Sequence, residues 1–178
     1  MHPRCSPHGR RRESRERREP TMSDVQELLA QALKRIERLE DEAAIREVMT
    51  RYGLAVDSGD EDACAQIYAE DCLIDIDGVA FMEGREQSRG IVASPLHQEI
   101  MPNCAHIMGP FTVKIDGQSA VATGYATVYL REGDQVRIWR QSYGRWELVK
   151  REGRWQVLKR ISRSTGRDDC QALLNKGV

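Results

Sequence analysis

Arg51-Tyr52-Gly53-Leu54-Ala55-Val56-Asp57-Ser58-Gly59-Asp60 closes the longest helical pattern of the chain and then breaks it. Upstream, Ala44, Ile45, Val48, Met49, Tyr52 and Val56 recur at the spacing of one helix face, and Ser58-Gly59 supplies the stop. The pattern extends further back in a second phase. Leu29, Ala32 or Leu33, Ile36 and Leu39 repeat among Lys34, Arg35, Glu37, Arg38 and Glu40, a face that can pair with a partner helix but is too short to define a coiled coil. Ser23 with Gln26 three residues on reads as a capping box that starts the run. The helix is expected to be continuous or kinked around Asp41.

Downstream, Glu61 to Glu70 reads as a short helix with Ala63, Ile67 and Tyr68 inward, and Asp71 to Gly78 as a strand entering a turn. Gly84 to Gln98 reads as a further helix interrupted near Pro95. After Pro102 the texture changes. Ala105–Ile115, Ala120–Leu130, Val136–Lys150 and Trp155–Ser162 read as four strands, joined by turns at Asp116-Gly117, Glu132-Gly133-Asp134 and Glu152-Gly153. Helices followed by an antiparallel meander define an α+β fold. Gly124 and Gly144 within long strands predict bends that let the sheet curl into a cone closed by the helices, with an interior able to take a ligand.

Composition bounds the function classes. The 178 residues suit one domain, placed at residues 23–165, between an Arg-rich tail over 1–22 and a polar tail over 166–178. The net charge of −1 gives no general reason to expect nucleic-acid binding, although the first twenty residues hold seven arginines against three glutamates. That segment is almost free of apolar side chains and is expected to be disordered. It reads as a dispensable tail, or as an upstream start with Met22 the initiator. The five cysteines (Cys5, Cys64, Cys72, Cys104, Cys170) form no CxxC and no zinc-spaced cluster, so no metal is expected, and scattered thiols suit a cytoplasmic protein. No apolar run is long enough for a membrane span.

Asp57 at the inner end of a helix and His106 on a later strand are the residues from which such a cone can build an acid/base pocket. "Ala44-Ile45-Arg46 … Arg51-Tyr52 … Val56-Asp57-Ser58-Gly59-Asp60", followed by "Tyr68-Ala69-Glu70-Asp71-Cys72", resembles the SnoaL-like group of the nuclear-transport-factor-2-like superfamily over roughly Glu40 to Gly166. Within it the chain is similar to the scytalone dehydratase, bile-acid 7α-dehydratase and hexachlorocyclohexane dehydrochlorinase group. The resemblance implies an Asp57–His106 dyad, with a tyrosine at Tyr52 and an arginine near Arg160. It implies a cofactor-independent lyase or isomerase acting on a hydrophobic cyclic hydroxy-ketone of polyketide, steroid or aromatic type. The second pocket histidine of scytalone dehydratase finds no clear counterpart. The superfamily also holds binding and assembly domains, including β-subunit-like partners of aromatic-ring oxygenases, and relatives are commonly homodimers or homotrimers.

Each residue has a plainer role to set beside the functional one. Asp57 can make an Asx-type turn at a helix end, and His106 can be a sheet histidine bonded to a carbonyl. Tyr52 suits the core equally well, and on an ideal helix it lies some 140° from Asp57, so a shared pocket requires the helix to end or unwind between them. Asn103 can orient a substrate hydroxyl or make a turn, and His97 sits in an expected loop near the entrance. Met108, Trp139, Tyr143 and Phe111 are candidates for an apolar wall. By strand parity His106 and Met108 share a face, and Phe111 takes the other unless a bulge intervenes. Trp146 and Leu148 are expected on the outer face of the sheet as an oligomer contact.

Overall fold

The computed structural model describes residues 21–175. The expected disorder of the Arg-rich tail therefore lies outside the described residues, apart from Thr21 and Met22. The chain divides into two units, Met1–Ile36 and Glu37–Val178. The described part of the first is helical from Met22 onward, and its Val25, Leu28, Leu29, Leu33 and Ile36 are exposed. Helix α1 spans Met22–Asp57 without interruption. Its capping residue is Thr21 and not Ser23. The Thr21 hydroxyl accepts from the Asp24 amide at 3.2 Å while the Asp24 carboxylate accepts from the Thr21 amide at 2.8 Å, a reciprocal box of the same three-residue spacing as the expected Ser23–Gln26 pairing.

In the second unit, α1 buries Ile45, Met49, Tyr52 and Val56. It ends in a Schellman turn. Gly59 adopts φ +72°, its amide donates to the Val56 carbonyl at 3.1 Å, and the Asp60 amide donates to Ala55 at 3.0 Å. Asp60 then caps the next helix, α2 (Glu61–Gln66), through the Ala63 amide. The region expected as a third helix is three single-turn helices, α3 (Arg85–Ser88), α4 (Gly90–Ala93) and α5 (Pro95–Gln98).

Six strands follow the order β2-β1-β6-β5-β4-β3 in one curved, unclosed sheet. They are β1 (Tyr68–Ile76), β2 (Ala80–Glu83), β3 (Cys104–Asp116), β4 (Ser119–Glu132), β5 (Gln135–Arg151) and β6 (Arg154–Ser164). The three meander hairpins form as read from the turns. β1 joins them in parallel to β6, and β2, in a stretch that the sequence reading leaves unassigned, adds a short antiparallel strand.

Alternation along β4 puts Ala120, Ala122, Gly124, Ala126, Val128 and Leu130 on the face that carries the core. Gly124 pairs with Gly144, and a Cβ at Gly124 would stand 2.2 Å from the Pro110 carbonyl, so only glycine permits that approach. The opposing bulge in β3 falls between Met108 and Phe111. It restores Phe111 to the inner face, where it is buried with the core. Two expectations are corrected here. Trp146 and Leu148 pair with Ala122 and Ala120, face inward and are fully buried, so they form no outer contact. The segment expected as a polar tail forms helix α6 (Asp168–Asn175), because Cys170 and Leu173 pack on Tyr143 and Ile161 of the outer face.

Candidate active site

The site begins with a glycine. A Cβ at Gly53 would lie 2.7 Å from the His106 carbonyl oxygen, so the missing side chain lets α1 settle directly onto β3. Asp57 is one turn further along the same helix face. Its two oxygens divide between the two donors of His106: Oδ2 accepts the backbone amide at 2.7 Å and Oδ1 accepts ring Nδ1–H at 2.6 Å. Burial pushes the Asp57 carboxyl up, but the hydrogen bonds from His106 outweigh it and hold the group below the usual carboxylate range. With Nδ1 carrying the bonded proton, the lone pair of neutral His106 resides on Nε2.

Tyr52 reaches the same imidazole without any unwinding of the helix. It precedes Gly53 and so flanks the point of contact from the other side, its ring meeting that of His106 edge-on with centroids 6.4 Å apart. Tyr52 is buried, and burial keeps its phenol protonated by pushing its pKa up. Beyond it stands Arg160, which β6 sends inward opposite Trp146. The guanidinium lies 4.3 Å from the Tyr52 ring centroid and 4.4 Å from that of Trp146, and Nη1 donates to the Tyr68 hydroxyl at 3.1 Å. Arg160 is 5% exposed, and its buried Nε has no hydrogen-bond partner.

Two further groups touch the pair. The Cys104 thiol donates to Asp57 Oδ1 at 3.6 Å, and burial together with that carboxylate pushes the thiol up to about 11, so it stays protonated. Its parity with His106 on β3 was the available signal. Asp57, Cys104 and His106 could hold a thiophilic cation, since their ligand atoms lie within 4.8 Å of one another, but only by giving up the Asp57–His106 hydrogen bond.

His97 is not in a loop. Ser94 caps α5 with Pro95 following, and the His97 ring is buried 5.7 Å from that of His106. Its Nε2 donates to the Val56 carbonyl at 2.9 Å, tying down the residue before Asp57. Burial, with the neighbouring His106, lowers the His97 pKa and keeps it neutral.

Other expected wall residues divide. Met108 packs on the main core beside Gly53, and Trp139 packs with Ile100, Val128 and Leu130, where Val128 is the cross-strand partner of His106. Tyr143 does not reach the site. It pairs with Tyr125 on the opposite face and is buried under α6, because its parity on β5 opposes that of Trp146. Asn103 is exposed in a turn, its backbone bonded to Ile100 and Arg131, and it borders a groove with Tyr129 and Val136 away from the imidazole.

In the family comparison, residues 37–161 match the SnoaL-like domain. The chain belongs to the SnoaL-like family. Among solved structures, this SnoaL-like protein is similar to an NTF2-like protein with a cystatin-like fold from Novosphingobium aromaticivorans. The two share 31% identity over 86% of this chain and 99% of the other, with a TM-score of 0.77. A hexachlorocyclohexane dehydrochlorinase, LinA-type3 from Novosphingobium barchaimii, shares the fold at 20% identity and TM-score 0.63, over 73% and 90% of the two chains. A proposed scytalone dehydratase from N. aromaticivorans does so at 18% and 0.63, over 72% and 86%. No curated protein matches the chain. No described helix is long and apolar enough to cross a membrane.

Proposed function

We propose that this SnoaL-like protein is a cofactor-independent lyase or isomerase, dehydratase-like in chemistry, acting on a hydrophobic cyclic hydroxy-ketone. The observation that carries the reading is the double clamp of Asp57 on His106, which fixes one tautomer and leaves Nε2 as the base. In the elimination, a C–H proton beside the carbonyl passes to Nε2 and its electron pair becomes the new C=C bond. The C–O bond to the β-hydroxyl breaks, and the departing oxygen takes a proton from the Tyr52 phenol or from the imidazolium and leaves as water. Asp57 stabilises the imidazolium formed on the way. Arg160, charged and with a free Nε–H, is suited to the oxygen on which negative charge develops. Met108 and Trp139 supply apolar wall.

A non-catalytic binding or assembly role is the second reading. It is favoured by Ile107, Tyr129 and Ile138, which stand exposed on the outer face of the sheet and would suit a homodimer or homotrimer contact. One pair of experiments separates the two. Asp57→Asn, which takes the carboxylate away from the imidazole without emptying the pocket, should keep ligand binding by calorimetry and lose turnover by roughly 10²–10⁴-fold. A screen of cyclic hydroxy-ketones should then show water loss that disappears in His106→Ala. Binding without turnover, or turnover that Asp57→Asn leaves intact, removes the lyase reading and leaves the binding domain.

A further inference from the structure

The first five turns or so of α1 carry a surface that the site does not use. Met22, Val25, Leu29, Ala32, Ile36 and Leu39 follow one another at alternating steps of three and four residues, the a and d positions of three heptads. The large side chains of this stripe, with Leu28 and Leu33 beside it, are between 45% and 75% exposed. Apolar residues repeated in this way on a helix are paired in a stable fold. A heptad run this short is marginal for an isolated peptide, but α1 is one continuous helix to Asp57, so its later turns already bear the cost of nucleation.

The flanking positions say what the partner is. In this register the g positions are Leu28 and Arg35, and the e positions five residues on are Leu33 and Glu40. In a parallel, in-register pair of identical helices each g residue meets the e residue of the following heptad on the other helix. Leu28 then meets Leu33 and Arg35 meets Glu40, apolar against apolar and cation against anion, twice over by symmetry. An antiparallel pair with the same core would set Leu28 against Arg35 and Gln26 against Leu33. Ile36 at a and Leu39 at d fit a two-stranded assembly. We propose that the Met22–Glu40 segment of α1 pairs with the same segment of a second copy as a parallel two-stranded coiled coil. The pairing does not depend on the proposed chemistry of the site.

The test uses the full chain with Cys5→Ser, which removes the cysteine nearest the segment in sequence. Ala32→Cys in this background puts the new thiol at a d position facing its own symmetry mate, whereas Gln31→Cys puts it at c, on the outside. Mild oxidation should cross-link the Ala32→Cys protein into a disulfide dimer and leave Gln31→Cys and the parent uncross-linked. By sedimentation, Arg35→Glu should weaken the dimer about tenfold by replacing two attractions with two repulsions. Adding Glu40→Arg should restore it. Absence of the Ala32→Cys cross-link, equal cross-linking of Gln31→Cys, or a charge swap that fails to rescue would overturn the proposal. A cross-link to a different protein, or a trimer, would overturn it too.

Discussion

Arg140 and Arg160 leave the same inner face of the sheet, from β5 and β6, into opposite kinds of surroundings. Every nitrogen of Arg140 has an acceptor. It donates to Asp77 at 3.0 Å and to the hydroxyls of Ser142, Ser162 and Ser164, while Asp77 also accepts from the Ser164 amide at 2.6 Å. Arg160 meets aromatic faces and one phenol, has no carboxylate within salt-bridge distance among the described residues, and keeps an unbonded Nε–H. A saturated cation holds strands together. An unsaturated one, buried against the Tyr52 ring that meets His106 edge-on, is the cation that the proposed chemistry would turn toward a ligand oxygen. Buried cations are therefore informative by what they lack.

The largest effect expected belongs to the imidazole that this contrast serves. Replacing His106 by Ala should reduce turnover of a responsive hydroxy-ketone by roughly 10²–10⁴-fold, read as kcat with the fold checked by circular dichroism. Loss of only a few-fold would move the centre of the site away from β3. Next, Arg140→Ala leaves Asp77 without its cation and should cost about 3 kcal/mol in urea unfolding. Arg160→Met, which exchanges a buried charge for an apolar side chain of similar length, should be neutral or stabilising while weakening hydroxy-ketone binding about tenfold. If both variants destabilise alike, the contrast between the two arginines fails.

Gly53→Ala is expected to cost about 1–2 kcal/mol, because the clash with the His106 carbonyl outweighs the roughly 1 kcal/mol that alanine brings to a helix interior. A gain in thermal stability would show that α1 can lift away from β3. The smallest effect concerns pH. The lowered pKa of buried, neutral His97 means that the unfolded chain takes up a proton near pH 6.5 while the fold resists it. Its contribution is therefore present above that pH and is eroded as pH falls below it. Urea midpoints measured from pH 7.5 to 5 should fall in wild type and fall less in His97→Gln, which can keep the bond to the Val56 carbonyl.

The fold was legible because its signals are local. Helical spacing up to Val56, the Gly59 stop and the hairpin turns each act within a few residues. Asp57 and His106 were legible through the family pattern, and the structure brings their side chains within hydrogen-bond distance. What escaped the sequence was set at a distance. Phe111 changed face because of a bulge opposite Gly124, and Tyr143 turned outward by strand parity, to be covered by an α6 whose apolar positions looked like tail. His97 was concealed by its setting, since helices of a single turn show no periodicity. The helix angle between Tyr52 and Asp57 suggested a conflict that vanishes once Gly53 is seen as the contact point between them.

β3 ends the strand order of the sheet, so one of its sides has no neighbouring strand. The amide of His106 is on that side, and the oxygen that accepts it belongs to Asp57. The carboxylate that holds the imidazole is thus also a plug in an open sheet margin, where a bare amide would invite a foreign strand to dock. Selection for chemistry and selection against aggregation would then fall on one side chain. Variants that silence this residue should be watched for precipitation as closely as for lost turnover.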